Sequence, residues 1–523
     1  MCLRLVWVWV RAAGRREAWA AGGERWHPQE TGICRRRILP SDSSVATVAG
    51  AIRAEAGRLR TGDRLPSTRE FVRRLGVSPV TVSRALAVVV SEGVVITRPG
   101  EGSFVAARRA AAAGQPADFS WQTLALGERR TSAGGVLVSL DEPPPGEIPL
   151  ASGYLHPSLL PVRALAAAMA RAARRPDAWQ RPPVTGIDGL RAWFARSTGG
   201  PVDAADVIVT AGAQGALTAA FRALVPAGEA LLVESPTYPG ALAAAASAGI
   251  RIVPVPVDGD GIRPDAVARA FAAAGARAVY CQPTFQNPTG AVLSAERRWQ
   301  LLATAAAAGA FIIEDDYGRY LGHERPAPPP LITDDTDGRV VHLASLTKPA
   351  SPSLRIGALI ARGPVAERLR DIRVVDDFFV SRPLQETALE LVSSPAWPRH
   401  LASLARSLAT RRAALAAALA ERLPQFTIPL LTRGGVSLWV RLPGHLADDQ
   451  LANVAARHGT VISPGRSFYP AEPPGSFIRL SFAAAARPED LHEGVRRLAL
   501  ALPAPLLHDH RHLSWKPLPQ SRT

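Results

Sequence analysis

At 523 residues, with hydrophobic residues at 47% and charged residues at 20%, the chain is too long for one ordinary domain and too apolar to be disordered throughout. Basic residues outnumber acidic ones 61 to 45, a net charge of +16, which points to a polyanionic partner. Cys2, Cys34 and Cys281 are widely separated and fit neither a metal-ligand nor a disulfide spacing, so no metal site is expected and a reduced, cytoplasmic setting is.

The first stretch, LRLVWVWVRAAG, has an apolar run of about six residues ending at Arg11, shorter than the roughly 7–15 residues of a signal-peptide core. Residues 1–42, rich in Trp and Arg, are expected to be a disordered arm or a start-site artefact. No later stretch reaches the roughly 18 apolar residues of a membrane span. The charge is concentrated at this end: residues 1–110 hold 19 Arg against 9 acids, so the polyanion argument applies to the N-terminal fifth.

Residues 43–106 alternate helical patterns with short β-like runs. In STRE, Ser67 and Glu70 have capping-box spacing and start a helix with Phe71 and Leu75 inward, ending at Gly76. Ser78 caps a second helix with Pro79 at its first position. Val82, Ala85, Leu86 and Val89 then face the core at 3.6-residue spacing. This leaves Val80, Thr81, Ser83 and Arg84 outside near the helix N-terminus, where a helix-turn-helix presents side chains to the major groove. VVITRPGEGSFV follows as a hairpin around a Gly-rich tip, with Arg98 at its root.

The elements GDRLPSTREF, LGVS..TV.RAL and EGVV..RPGEGSFV resemble the winged-helix domain of the GntR regulators. The resemblance implies an α+β fold that binds double-stranded DNA through Arg69, the stretch Ser78, Val80, Thr81, Ser83 and Arg84, and the wing residues Arg98, Gly100 and Gly102. Pro79 stands where many relatives carry Arg, which removes one expected contact.

Residues 107–146, rich in Ala, Gly and Pro, are expected to be a linker. From 147 to 505, the runs DVIVTAG, EALLVESP, IRIVPVPV, ARAVYCQP, AFIIEDD, RVVHLAS and RIGALIA alternate with Ala/Leu/Arg helices. That alternation predicts an α/β body with a mainly parallel sheet covered on both faces. Residues 506–523 lose the pattern and are expected to be a solvated tail, its His508, His510 and His512 included.

The 61 basic residues include only two lysines, Lys348 and Lys516. A Schiff base with pyridoxal phosphate needs an amine that can lose its proton, which Arg cannot supply. Lys516 lies in the tail, so a covalently held cofactor would require Lys348, in ASLTKPASPSLRIG. Other groups such a cofactor needs can be found in the same body. Ala213 and Gln214 begin a helix after a strand and a small-residue turn, a place for a phosphate. Ser345 and Arg355 flank the lysine. Asp315 and Tyr317 lie in FIIEDDYGRY, Tyr238 in ESPTYPG, Asn287 in QPTFQNPTG and Arg479 in GSFIRLSF.

In this order and at these separations the set resembles the class I/II aminotransferases of fold type I, with a large subdomain near 185–385 and a small one near 386–505. The resemblance assigns catalytic roles to Lys348, Asp315 and Tyr317. It gives the phosphate to Ala213, Gln214, Ser345 and Arg355, and the ring nitrogen to Asp315. The ring hydroxyl falls to Tyr317 and Asn287, the ring face to Tyr238 and the substrate carboxylate to Arg479. Gly215 departs from the Gln frequent in close relatives, and the segment after Lys348 is more polar than usual.

A GntR-type winged helix joined to such a body resembles the MocR subfamily of bacterial regulators. This implies a cytoplasmic homodimer that reads an operator and senses an amino compound, or pyridoxal phosphate itself, through aldimine exchange at Lys348. A working aminotransferase with an accessory DNA-binding domain remains the alternative, since each catalytic group is present.

Overall fold

The computed structural model describes residues 41–107, 118–126, 134–141 and 144–502. The expected arm through residue 40 and the tail with Lys516 and its three histidines lie outside the described residues. The chain divides into two compact units, Met1–Ala125 and Leu126–Thr523.

The first unit consists of three helices, α1 (Ser41–Arg58), α2 (Thr68–Leu75) and α3 (Pro79–Ser91), and a hairpin of β1 (Val95–Arg98) and β2 (Gly102–Val105). Ser67 Oγ accepts from the Glu70 amide at 3.2 Å and Ser78 Oγ from the Thr81 amide at 3.1 Å, so both helices start where their caps predict. Gly76, at φ 64°, ends α2 in the left-handed region. Ile52, Phe71, Val82, Ala85, Val89 and Val95 form the core.

Two inward assignments change. Leu86 is only partly buried against this core. Leu75, expected beside Phe71, is 38% exposed. It is the last residue of α2, and Val72, one turn earlier, packs against the core in its place.

The second unit is built on eight strands: β4 (Val207–Thr210), β5 (Ala230–Ser235), β6 (Arg251–Asp258), β7 (Gly261–Ile262), β8 (Ala278–Cys281), β9 (Phe311–Asp316), β10 (Val340–Ser345) and β11 (Gly357–Ile360). They run in the order β4-β11-β10-β9-β8-β5-β6-β7. β10, β9, β8, β5 and β6 are parallel to their neighbours in this run, while β11 is antiparallel to both β10 and β4. Val207 and Val209 join one core and Ile208 between them the other, as do Leu232 and its neighbours Leu231 and Val233. Burial on both faces is why these strands read as unbroken apolar runs.

A smaller sheet follows, with β12 (Ser437–Arg441), β15 (Phe477–Ser481) and β14 (Ser463–Pro464) in that order. A short β3 (Ile148–Pro149) pairs in parallel with β13 (Thr460–Val461), and Ile148, Leu150 and Leu155 belong to the core of the small subdomain. The helix Ala396–Arg422 places Trp397 in the large core and Leu404 in the small one. The two cores therefore meet between residues 397 and 404, later than the expected division near 385. Within the expected linker, helices form at Ser120–Leu126 and Gly134–Leu137, and the second packs on the helix Pro239–Ser247.

The core of the first unit makes a direct prediction. Phe71→Ala is expected to cost about 3–5 kcal/mol and Leu75→Ala under about 1 kcal/mol. Thermal unfolding of the full chain, followed through the transition of the N-terminal unit, tests the difference; equal effects would contradict the burial pattern.

Candidate functional site

The carboxyl ends of the parallel strands are where open α/β sheets place ligands, and there the loops after β4, β5, β8, β9 and β10 meet. They line a cleft containing Ala213, Gln214, Tyr238, Asn287, Asp315, Tyr317, Ser345, Lys348, Arg355 and Arg479. All ten residues singled out in the body are thus brought together. Nine come from the large subdomain, and Arg479 comes from β15 of the small one.

Lys348 follows β10. Its Nζ donates to the Gly153 carbonyl at 2.7 Å and stands 3.7 Å from the centroid of the Tyr154 ring. Burial, reinforced by the Arg479 charge, lowers its pKa from 10.5 to about 7. Asp315 lies near the end of β9, and its Oδ2 accepts from Tyr280 Oη and Gln282 Nε2, each at 2.8 Å. Its Oδ1 is buried with no hydrogen-bond partner, and burial raises its pKa. Below it, Glu234 accepts from the Gln282 amide and Gln286 Nε2, and burial pushes it up to about 8.

The helix Ala213–Leu224 opens after Gly212, at φ 85°. A Cβ at Gly212 would stand 2.9 Å from Arg355 Nη2, and that nitrogen donates to the Ala211 carbonyl at 2.8 Å. Arg355 holds φ 50°, a strained value for a residue with a Cβ. Ser345 Oγ accepts from the Thr347 amide, and Thr347 Oγ1 is buried without a partner. Tyr238 Oη donates to Gln214 Oε1 at 3.1 Å, and burial pushes its pKa up to about 12. Tyr317 Oη donates to the Phe285 carbonyl at 2.5 Å, so while that bond holds its oxygen can accept but not donate.

Arg479 spans the two subdomains. Its Nη1 donates to Asn287 Oδ1 at 3.1 Å, and its Nη2 to the Ala151 carbonyl at 2.7 Å and Ser139 Oγ at 3.1 Å. Burial lowers its pKa to about 10. Asn287 spends its oxygen here and keeps its amide NH₂ for a ligand.

Sequence reasoning missed Ser139, Gly153, Tyr154, Tyr280, Gln282 and Thr347. Gln282 and Thr347 stand inside the motifs quoted for Asn287 and Lys348; the other four carry no local signal.

In the first unit, Val80 is 67% exposed, Ser83 and Arg84 are exposed, and Thr81 is half-buried. Ser78 is committed to its cap, 2.9 Å from Thr81 Oγ1. Arg69 is exposed, and neither it nor Arg84 has a salt-bridge partner among the described residues, whereas Arg73 and Arg74 pair with Glu70. Arg98 lies over the Phe104 ring at 4.8 Å, and Gly100 and Gly102 hold the wing turn at φ 79° and 117°.

The family described as aminotransferase class I and II matches residues 147–498, and that of the bacterial regulatory proteins of the gntR family matches residues 46–105. The HTH-type transcriptional regulator TauR of Rhodobacter capsulatus is 30% identical over 86% of this chain and 93% of its own. The probable rhizopine catabolism regulatory protein MocR of Rhizobium meliloti is 30% identical over 86% of this chain and 92% of its own. Among solved structures, LysN, the α-aminoadipate aminotransferase of Thermus thermophilus, complexed with N-(5′-phosphopyridoxyl)-L-leucine, matches with a TM-score of 0.67. It is 29% identical and covers 72% of this chain and 96% of its own.

A winged helix joined to a fold-type I transferase body defines the class: a pyridoxal-phosphate-dependent, DNA-binding transcriptional regulator. The chain belongs to the MocR subfamily of the GntR family, and its body to the class I and II aminotransferases. No single described helix is long and apolar enough to cross a membrane.

The cleft fits its cofactor on independent grounds. Asp315 presents one carboxylate oxygen without a donor, as a protonated ring nitrogen requires. The turn at Gly212 has no room for a Cβ beside Arg355, which leaves helix amides and a guanidinium at one point, as a phosphate requires.

The buried amine makes stability depend on pH. Between about 7 and 10.5 the unfolded chain keeps the Lys348 proton that the folded chain has lost. The destabilisation is complete below pH 7 and is relieved as pH rises through 10.5. Lys348→Met should therefore stabilise the cofactor-free protein most at or below neutrality, with the gap in melting temperature closing towards pH 10. A pH-independent gap would mean that the amine is not desolvated.

Proposed function

We propose that the body reports an amino compound to the DNA-reading unit by letting that compound compete with Lys348 for the cofactor. The observation that carries this reading is the Lys348 amine itself, lowered to about 7 by burial and therefore partly unprotonated at neutral pH. An amine in that state can both hold an aldehyde and be displaced from it.

Bound pyridoxal phosphate supplies an electrophilic aldehyde carbon and an electron-withdrawing ring. Lys348 would hold it covalently, with Asp315 at the ring nitrogen and Ala213, Gln214, Ser345 and Arg355 at the phosphate. Tyr238 would cover the ring face, with Asn287 and Tyr317 at the ring hydroxyl. Tyr280 and Gln282 hold Asp315 by its Oδ2 and so leave Oδ1 for the ring nitrogen. Arg479 would pair with the carboxylate of the amino compound. Gly153 accepts the Lys348 proton in a hydrogen bond and keeps the amine pointed into the cleft.

In the first unit Arg84, Ser83, Thr81 and Val80 would face base edges, while Arg69, Arg98 and the wing glycines would lie along phosphates. A homodimer would present two such units to paired half-sites in the cytoplasm.

The decisive experiment adds amines and keto acids to the cofactor-loaded protein and follows absorbance, product formation and operator binding together. A spectral shift with altered operator affinity and no product is expected; steady product formation with unaltered affinity would make the chain an aminotransferase instead. Lys348→Ala should abolish borohydride-stabilised attachment of the cofactor, and persistent attachment would overturn the assignment.

The DNA reading has its own test. Arg84→Ala should weaken operator binding by about 1–3 kcal/mol with an unchanged cofactor spectrum. Binding to operator should also fall steeply with salt. A flat salt response would exclude this unit as the reader.

A further inference from the structure

The segment 134–141 precedes the transferase body and was expected to be linker, yet it forms one wall of the cleft. Gly135, Val136, Ser139 and Leu140 line it. The wall is closely fitted: a Cβ at Gly135 would stand 3.0 Å from Ser467 Cβ. The Gly153 amide donates to the Ser139 carbonyl at 3.4 Å, and Gly153 is the residue whose own carbonyl accepts from Lys348. The segment is thus one residue removed from the amine.

Ser139 Oγ accepts from Arg479 Nη2 at 3.1 Å. A hydroxyl carries one proton besides its lone pairs, and no acceptor for the Ser139 proton is found among the described residues. Arg479 Nη1 commits one of its two protons to Asn287, so beside the cleft-lining Asn287 the guanidinium retains an unused donor. A carboxylate arriving at Arg479 meets both groups, the unused guanidinium donor and a hydroxyl free to turn its proton towards the anion. A plain amine meets neither.

We propose that Ser139 is a specificity residue that donates to the ligand carboxylate paired with Arg479, so that the body recognises amino acids rather than simple amines. Occupancy then also fastens segment 134–141 onto the cleft. The inference rests on the preceding reading of the cleft as an amino-compound site.

The test uses the full-length, cofactor-loaded protein titrated with the common amino acids and with the amines left by removing their carboxylates. In wild type, amino acids should change the absorbance at lower concentration than the matched amines. Ser139→Ala should weaken amino-acid binding by about tenfold or more, the scale of a hydrogen bond to a charged group, and leave the matched amines unchanged. Ser139→Thr, which keeps the hydroxyl, should restore the preference. Amide exchange over 134–141 should slow when wild type takes up an amino acid and remain unchanged in Ser139→Ala.

Equal weakening for both ligand types, or none, would overturn the role of Ser139 while leaving the amino-compound site standing. No absorbance response to any ligand in wild type would overturn both.

Discussion

The cleft is built around an imbalance of charge. Lys348, Arg355 and Arg479 converge there, and Asp315 is the carboxylate set against them. Glu234, which shares Gln282 with Asp315, is pushed up to about 8 by burial and so is mostly uncharged at neutral pH. Converging cations in a poorly solvated space are costly unless anions arrive from outside the chain. Their distribution identifies those anions. Arg355 stands at a helix N-terminus, where a phosphate fits, and Arg479 stands across the cleft with a donor unused. Lys348, whose pKa both guanidinium charges help to lower, meets the same imbalance by giving up its proton near neutrality.

The sheet makes this convergence possible through its smallest residues. Ser345 at the end of β10 is in register with Gly357 on β11, and Gly357 with Thr210 on β4. A Cβ at Gly357 would stand 2.8 Å from the Ala344 carbonyl and 3.0 Å from Gly212 C, so the three strand ends can close up only because a glycine sits between them. Arg355 can then reach the Ala211 carbonyl from the loop between β10 and β11. The strain in its backbone accompanies a position that neighbouring elements fix from several sides.

Whether a feature could be read from sequence depended on how locally it was determined. Strands buried on both faces left apolar runs, caps left Ser67 and Ser78, and a chain nearly without lysine exposed Lys348. Asp315, Tyr238 and Asn287 were legible because each stands on or soon after a strand in a compact motif. Leu75 was misplaced because a helical period predicts a face but not where the neighbouring helices stop covering it. Ser139 and Gly153 were invisible for a different reason. They act on Arg479 and Lys348 across 340 and 195 residues of sequence, and Ser139 lies among the Gly, Ala and Ser that composition assigns to a spacer. Small residues here allow close approach, which is the opposite use of the same letters.

That reversal bears on how one chain can join two functions. Coupling between an effector and DNA must be reciprocal: whatever factor the amino compound imposes on operator affinity, the operator imposes on the amino compound. Such coupling needs an element whose contacts differ between the two states. Most of the cleft lies on strand ends locked into an eight-stranded sheet, where differential movement is expensive. Segment 134–141 differs. It carries a single short helix, its Ser139 hydroxyl has one hydrogen-bond partner among the described residues, and it lies on the chain between the DNA-reading residues and the body. Its contacts are of a kind that a ligand can change without breaking the fold.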